Sequence, residues 1–162
     1  MTAVDVTDLI ARATRAKVMI TTAESCTGGL IVAALTDIPG SSAVVDRGFV
    51  TYSNQAKMEM LGVQAETLTA HGAVSQQVAA EMATGALTHS PATLAVSVTG
   101  IAGPGGSEFK PEGRVCFGLA QTGQDTVTET IEFGAIGRDH VRQATRDHAL
   151  TLLSRAISQR DL

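Results

Sequence analysis

Short apolar runs that alternate with segments of helical periodicity are the feature that most constrains the fold of this chain. The runs at residues 17–22 (KVMITT), 43–51 (AVVDRGFVT) and 93–98 (TLAVSV) are rich in β-branched residues, a pattern that predicts buried strands. Apolar side chains at helical spacing precede and follow these runs. Because helices that alternate with strands cover the faces of one sheet, this order predicts an α/β fold.

The rest of the chain extends the same order. Helices are predicted at residues 5–15, 30–35, 56–61, after a Ser75 cap, and at 138–158, and two hairpin strands at 114–121 and 126–133. The resulting order of helix, strand, helix, strand, two helices, three strands and helix predicts a three-layer α/β/α arrangement around a mixed β-sheet. No linker, low-complexity tract or internal repeat divides residues 1–162, so we expect a single domain.

Composition and charge exclude several classes of protein. Aromatic residues make up only 3% of the chain, so the core has to be built from closely packed small aliphatic side chains. A net charge of −4 without a basic cluster argues against a nucleic-acid partner. Since no run approaches the roughly 20 apolar residues of a membrane helix, and the N-terminus lacks a signal-peptide pattern, we expect a cytoplasmic chain without membrane association.

The cysteines and histidines show no metal-binding pattern. Cys26 and Cys116 form no CxxC motif, which argues against both a zinc site and a disulfide framework. The four histidines form neither HExxH nor HxH. We therefore expect a protein that works without a metal ion and without a cofactor.

Four segments concentrate glycine and small polar residues at the ends of predicted strands. They are AESCTGG (23–29), PGSS (39–42), TYSNQAK (51–57) and SVTGIAGPGGSEFKPEG (97–113). Loops at strand ends are where α/β folds collect their binding and catalytic groups. The segments are therefore the places in which a functional site is expected.

The first and fourth segments have the features of anion-binding loops. In the first, Ser25 is a possible nucleophile, while Thr27, Gly28 and Gly29 open a helix whose free N–H groups favour an anion. The same three residues could instead only cap the helix and turn the chain. In the fourth, backbone N–H groups could hold a phosphate or an oxyanion, with Lys110 adding charge; the alternative is a long flexible connection. Arg138, at the start of the last predicted helix, could also pair with an anion.

The third segment contains a possible base. Lysine occurs only at positions 17, 57 and 110, and Lys57 lies among hydroxyl-bearing residues. A buried lysine loses its hydration, so its pKa falls and its neutral amine can take a proton from a serine. Tyr52, the single tyrosine, could orient or relay that proton. A surface lysine and a tyrosine that packs its ring in the core are the competing interpretation.

Taken together, TTAESCTGG, IPGSSAVVDRGFVTYSNQAK, HGAVS and SVTGIAGPGG with KPEG resemble the CinA C-terminal-domain family over most of the chain. The resemblance implies an amidohydrolase of the PncC type, a nicotinamide-nucleotide amidase. Such enzymes hydrolyse the carboxamide of nicotinamide mononucleotide to nicotinic acid mononucleotide and ammonia. The implied partner is a small-molecule nucleotide. We also expect the chain to form a homo-oligomer, because two-fold symmetric assemblies are common.

The resemblance also implies site residues. Ser42 is the preferred nucleophile, with Tyr52 and Lys57 as its activating partners and with Ser41 and Ser25 as rivals for the nucleophile. Substrate-binding residues are expected among Ser25, Thr27, Gly28, Gly29, Thr99, Gly100, Gly103, Gly105, Gly106, Lys110 and Arg138. An inactive nucleotide-binding module or a CinA-like accessory protein is the alternative, although neither would need the serine, tyrosine and lysine together.

Overall fold

The computed structural model describes residues 3–107 and 109–160 and contains a five-stranded sheet with helices on both faces. The strands are β1 (Ile20–Glu24), β2 (Phe49–Val50), β3 (Leu94–Gly100), β4 (Arg114–Gln121) and β5 (Val127–Glu132). The helices are α1 (Val6–Ala16), α2 (Leu30–Thr36), α3 (Asn54–Leu61), α4 (Ala65–His71), α5 (Gln76–Thr88) and α6 (Arg138–Arg160), and a short 3-10 turn covers Ser41–Ala43.

The direction of the strands determines where loops can meet. The spatial order is β2-β1-β3-β4-β5, with β2, β1 and β3 parallel and with β4 and β5 antiparallel to their neighbours. The carboxyl ends of the three parallel strands therefore lie at one edge of the sheet. The segments that follow Glu24, Val50 and Gly100 therefore meet at that edge. They are parts of the first, third and fourth polar segments.

Two apolar clusters cover the two faces of the sheet. Alternate residues of β3 show the division, because successive side chains of a strand point to opposite faces. Val96 packs in a cluster with Ile31 of α2 and Leu153 of α6, whereas Ala95 packs with Met82 of α5. This arrangement confirms the α/β fold with a mixed sheet that the sequence predicts.

Close backbone approach compensates for the scarcity of aromatic side chains. A methyl group added at Gly85 of α5 would lie 1.9 Å from the carbonyl oxygen of Leu61, where α3 ends. One added at Gly118 of β4 would lie 2.5 Å from the carbonyl oxygen of Ala79 on α5. Because only a hydrogen fits at these two positions, α5 lies directly against both the sheet and α3.

Several boundaries differ from those expected. The predicted strand at 43–51 is only the two-residue β2, since residues 41–43 form the 3-10 turn and Val45 makes an isolated bridge to Ile20. Helix α4 was not predicted, because none of its side chains is buried and it shows no apolar stripe. The hairpin of β4 and β5 and the Ser75 cap of α5 are confirmed; the Ser75 hydroxyl accepts from the N–H of Val78.

Within residues 3–107 and 109–160, no helix is both long enough and apolar enough to cross a bilayer.

Candidate functional site

A cleft of about 400 Å³ opens at the carboxyl edge of the parallel strands. Ten of the residues expected from the sequence line it: Ser25, Tyr52, Lys57, Thr99, Gly100, Gly103, Gly105, Gly106, Lys110 and Arg138. Cys26 and Asn54 also line the cleft, although no sequence pattern singled them out for this role. Glu108, within the fourth polar segment, lies outside the described residues.

The central contact of the cleft joins Lys57 to Ser25. Lys57 Nζ lies 3.0 Å from Ser25 Oγ and 2.9 Å from the carbonyl oxygen of Thr51. Both side chains are nearly enclosed, with relative exposures of 1% for Lys57 and 8% for Ser25. The Thr51 carbonyl accepts one N–H of the amine, so the amine keeps a fixed orientation towards the serine hydroxyl.

Burial sets the protonation chemistry of the site. It lowers the pKa of the Lys57 amine from its ordinary value of 10.5, and the neighbouring Cys26 only partly opposes this. Burial also raises the pKa of the Cys26 thiol from 9.0 to about 12, with smaller opposing effects from its own backbone N–H and from Lys57. The cysteine is therefore a neutral thiol near pH 7, whereas Lys57 is shifted towards the neutral amine that can accept a proton.

The start of α3 positions Lys57. Ser53 caps this helix, since its hydroxyl accepts from the N–H of Ala56 at 3.0 Å. Lys57 lies in the first turn, and its own N–H donates to the carbonyl oxygen of Ser53 at 3.1 Å. The segment SNQAK is thus a capped helix start, which directs the lysine side chain into the cleft.

The loop after β1 is organised around a buried carboxylate that the sequence analysis did not identify. Glu24 is fully buried, and one of its oxygens accepts from the N–H groups of Gly29 and Ile31 and from the Thr27 hydroxyl. The other oxygen accepts from the N–H of Val32 and the Thr22 hydroxyl. The N-terminus of α2 is therefore occupied by a side chain of the protein itself.

This finding corrects the expectation for the helix start at Thr27, Gly28 and Gly29. Thr27 is fully buried and its hydroxyl donates to Glu24, while Gly28 and Gly29 lie outside the lining of the cleft. Their positive φ angles, 58° and 107°, turn the chain into the helix. Because Glu24 takes the free N–H groups of this turn, the turn is not the anion site that the sequence suggested.

The expectation for Ser42 also needs correction. Ser42 is exposed on the 3-10 turn, and among the described residues it lies outside the lining of the cleft, as does the buried Ser41. Two residues beyond Ser42, the Val44 carbonyl accepts from the N–H of Ile20 at the amino end of β1. Ser25 follows the carboxyl end of that strand, so the two serines lie at opposite edges of the sheet.

Polar contacts fix the glycine-rich loop that forms one side of the cleft. Lys110 donates to the carbonyl oxygens of His71 and Val74 at 2.6 and 2.5 Å, and so ties the loop to the connection between α4 and α5. The carboxylate of Glu112 accepts from the N–H of Gly105 at 2.7 Å. Thr99 donates its hydroxyl to the Ala73 carbonyl at 2.8 Å. Lys110 thus supports the loop, and its amine already has two carbonyl partners.

Arg138 and Tyr52 meet at the edge of the cleft. One guanidinium nitrogen donates to the Tyr52 hydroxyl at 2.9 Å and another to the Gly103 carbonyl at 2.7 Å. Both side chains are exposed, Tyr52 by 62%. The tyrosine hydroxyl is therefore paired with Arg138, whereas the sequence analysis expected it to activate the serine with Lys57.

The comparisons with known proteins agree with this architecture. Residues 5–157 match the CinA C-terminal domain. The chain is 53% identical over 135 residues to the nicotinamide-nucleotide amidohydrolase PncC of Escherichia coli K12, which covers 83% of this chain and 81% of that protein. A CinA-like protein of Mycolicibacterium gilvum is 51% identical over 140 residues, covering 86% of this chain and 33% of the relative.

Solved structures lead to the same family. The competence/damage inducible protein CihA from Agrobacterium tumefaciens superposes with a TM-score of 0.87 at 50% identity, covering 98% of both chains. A CinA superfamily protein from Escherichia coli gives a TM-score of 0.87 at 36% identity, covering 95% of this chain and 94% of that one. The chain spans about a third of the length of the longer curated relatives. It belongs to the CinA C-terminal domain family.

Proposed function

We propose that this chain is an amidohydrolase that cleaves the carboxamide of nicotinamide mononucleotide, with Ser25 as the nucleophile and Lys57 as the base. The single observation that carries the proposal is the buried contact between Lys57 Nζ and Ser25 Oγ at 3.0 Å inside the cleft. The name of the Escherichia coli relative, nicotinamide-nucleotide amidohydrolase, supports the substrate class. A serine beside a lysine with a lowered pKa is a known form of activated nucleophile.

Acylation begins with the neutral Lys57 amine. Lys57 takes the proton of the Ser25 hydroxyl while Oγ attacks the carboxamide carbon, which produces a tetrahedral intermediate. The protonated amine then donates its proton to the departing nitrogen. The carbon–nitrogen bond breaks, ammonia leaves, and an ester of Ser25 remains.

Deacylation uses the same two side chains. Lys57, neutral again, takes a proton from a water molecule that attacks the ester carbon, and afterwards returns the proton to Ser25 Oγ. The products are nicotinic acid mononucleotide and the free serine. The Thr51 carbonyl holds the amine in place through both half-reactions, since its contact with Nζ does not depend on the substrate.

Backbone N–H groups stabilise the oxyanion in this proposal. We assign the N–H of Cys26, the residue after the nucleophile, together with a donor from the glycine-rich loop at Ala102 or Gly103, which line the same cleft. Each such donor is worth about 3 kcal/mol of transition-state stabilisation.

Arg138 is the proposed anchor for the phosphate of the nucleotide. Lys110 is held by two carbonyls and the helix start of α2 by Glu24, whereas Arg138 is exposed at the mouth of the cleft. A guanidinium carries five N–H donors, and contacts with Tyr52 and Gly103 use two of them. The remaining donors can bind phosphate oxygens, and Tyr52 keeps the guanidinium in position.

The experiment that tests the proposal measures ammonia and nicotinic acid mononucleotide after the purified chain is incubated with nicotinamide mononucleotide. We expect both products in equal amounts from the wild-type chain and neither from Ser25→Ala. Saturable binding of the nucleotide without ammonia release would contradict the proposal and favour an inactive nucleotide-binding module.

A further inference from the structure

The carboxylate of Glu24 joins the end of β1 to the start of α2 around the proposed nucleophile. Glu24 is the last residue of the strand and directly precedes Ser25. Its side chain is fully buried and accepts five hydrogen bonds of 2.6 to 3.1 Å. Three of the five donors are the backbone N–H groups of Gly29, Ile31 and Val32. The loop of residues 25–27 therefore begins directly after Glu24 and ends at a helix start whose N–H groups are bound by the Glu24 carboxylate.

Comparison with the other helices indicates that a cap alone does not require this arrangement. Helices α1, α3 and α5 are capped by a short side chain at the N-cap itself, from Asp5, Ser53 and Ser75. The N-cap of α2 is Gly29, which provides no side-chain cap. A carboxylate five residues earlier takes this role instead, at the cost of removing a charged group from water. What Glu24 adds over an ordinary cap is a fixed distance between the strand end and the helix start.

Further hydrogen bonds hold the loop between the end of β1 and the start of α2. The Ser25 N–H donates to the Val98 carbonyl of β3, and the Gly28 N–H donates to the Ser25 carbonyl. From outside, Arg142 of α6 donates to the carbonyl oxygens of Cys26 and Thr27, both at 3.1 Å. The Glu24 carboxylate accepts from N–H groups of the turn, while the Arg142 guanidinium donates to its carbonyl oxygens. Together they determine where Ser25 Oγ lies relative to Lys57.

We infer that Glu24 is a positioning residue for the Ser25 nucleophile, which it holds at 3.0 Å from Lys57 Nζ by anchoring the start of α2. The inference rests on the proposed role of Ser25. Without the carboxylate, three N–H groups lose their acceptor and the turn moves, so the hydroxyl leaves the reach of the amine. A displacement of about 1 Å at a reacting group lowers a rate roughly 100-fold.

The test follows the reactivity of Ser25 itself, so that it does not depend on the natural substrate. Phenylmethylsulfonyl fluoride forms a bond between its sulfur and Ser25 Oγ, fluoride leaves, and Lys57 takes the hydroxyl proton. Mass spectrometry of the Ser25 peptide gives the labelling rate. The variants are Glu24→Ala and Glu24→Gln. Thr21→Ala is the matched control, since Thr21 is equally buried on β1 and its hydroxyl donates to the Arg47 carbonyl, away from the turn.

We expect Glu24→Ala to label Ser25 about 100-fold more slowly than the wild type, and Thr21→Ala to stay within about twofold. Sodium formate offers a carboxylate that fits the space left by the Glu24 side chain. It should restore at least about tenfold of the labelling rate in Glu24→Ala, while sodium chloride at the same ionic strength should not. In Glu24→Gln the glutamine side chain fills the space, so formate has no room to bind. Each oxygen of Glu24 accepts from at least one backbone N–H, so in either orientation the amide NH₂ of glutamine faces a backbone N–H. The labelling rate should therefore fall, and formate should not restore it.

Wild-type labelling rates in both Glu24 variants would overturn the inference, as would a loss in Glu24→Ala that formate leaves unchanged. A loss in Thr21→Ala as large as that in Glu24→Ala would also overturn it, because the effect would then follow stability alone. If the Ala variant does not fold, the rate in Glu24→Gln decides the question. Absence of Ser25 labelling in the wild type would remove its basis. Labelling of Ser25 without ammonia release from nicotinamide mononucleotide would contradict the proposed substrate and leave this inference standing.

Discussion

The Lys57 amine lies 3.0 Å from the Ser25 hydroxyl, although 32 positions separate the two residues in the chain. Parallel pairing of β1 and β2 makes this contact possible, because the ends of both strands lie at the same edge of the sheet. Ser25 directly follows β1, and Lys57 lies in the first turns of the helix that follows β2. The chemistry of the cleft therefore depends on the strand pairing that forms the fold.

The two serines of the PGSS segment provide the first prediction. Ser42→Ala should leave kcat within about twofold of the wild type, because this side chain is exposed on the 3-10 turn near the amino end of β1. Initial rates of ammonia release check it, with Ser41→Ala as a second variant. A loss of most of kcat in Ser42→Ala would return the nucleophile to the position that the sequence analysis preferred.

The pH dependence of kcat/KM provides the second prediction. Burial lowers the pKa of Lys57, and only its neutral amine can take the serine proton. Because Lys57 is protonated below its pKa, kcat/KM should rise about tenfold per pH unit at low pH and become constant above that pKa. The midpoint of the profile should lie below pH 10.5.

Lys57→Arg is the control for this profile, since a guanidinium stays protonated throughout the range. We expect it to be inactive at every pH. A profile in the wild type that falls with rising pH, or an active Lys57→Arg variant, would contradict Lys57 as the base.

The phosphate anchor provides the third prediction. Arg138→Gln should raise KM for nicotinamide mononucleotide about tenfold or more, because a charge-assisted contact with the phosphate is lost. Nicotinamide riboside, which lacks the phosphate, should be hydrolysed by wild type and variant with similar kcat/KM. Arg146→Gln is the control, since that arginine is on the same helix and pairs with Asp147. Equal losses for nucleotide and riboside would show that Arg138 acts on the loop and not on the phosphate.

The contact of α3 with α5 provides a prediction about stability. On helix propensity alone, Gly85→Ala would stabilise α5 by about 1 kcal/mol. The added methyl group would lie 1.9 Å from the Leu61 carbonyl oxygen, so the two helices would have to separate. We expect the free energy of unfolding to fall by about 2 kcal/mol, measured by urea denaturation. Thr88→Ala, at an exposed position of the same helix, should change it by less than about 0.5 kcal/mol.

Much of the fold follows from sequence patterns because they are local. The apolar run of β3, the predicted hairpin strand β4 and the serine cap of α5 agree with the structure within one or two residues. The strand expected at 43–51 was overestimated, because Val44 and Val45 are apolar without joining a regular strand. Helix α4 has no fully buried side chain; Leu68 is partly buried against the core, and a single such position gives no periodic signal.

The nucleophile depends on strand direction, which a local pattern does not contain. PGSS precedes a predicted strand and AESC follows one, and in a parallel sheet these two positions lie at opposite edges. Lys57 follows a strand, so the order of segments favours Ser25 once β1 and β2 are known to be parallel. The sequence resemblance favoured Ser42, whereas the structure places Ser25 and not Ser42 in the lining of the cleft.

Glu24 was missed for a different physical reason. A glutamate at the end of an apolar run is usually interpreted as the point at which a strand becomes exposed, whereas this one is fully buried. In the sequence Thr27 offers a cap for this helix start, so nothing called for a second acceptor, whereas the structure places the N-cap at Gly29 without a side-chain cap. Glu24, five residues before this N-cap, is the carboxylate that accepts from the N–H groups of Gly29, Ile31 and Val32.

In the proposed mechanism Ser25 and Lys57 act as one catalytic unit, and a double-mutant cycle on kcat for ammonia release distinguishes this from two independent contributions. Ser25→Ala and Lys57→Ala should each lower kcat by roughly 1,000-fold or more, because either change removes the shared proton-transfer step. We expect the double variant to be scarcely slower than either single variant. Losses that multiply in the double variant, or a Ser25→Ala variant that keeps most of its kcat, would contradict it.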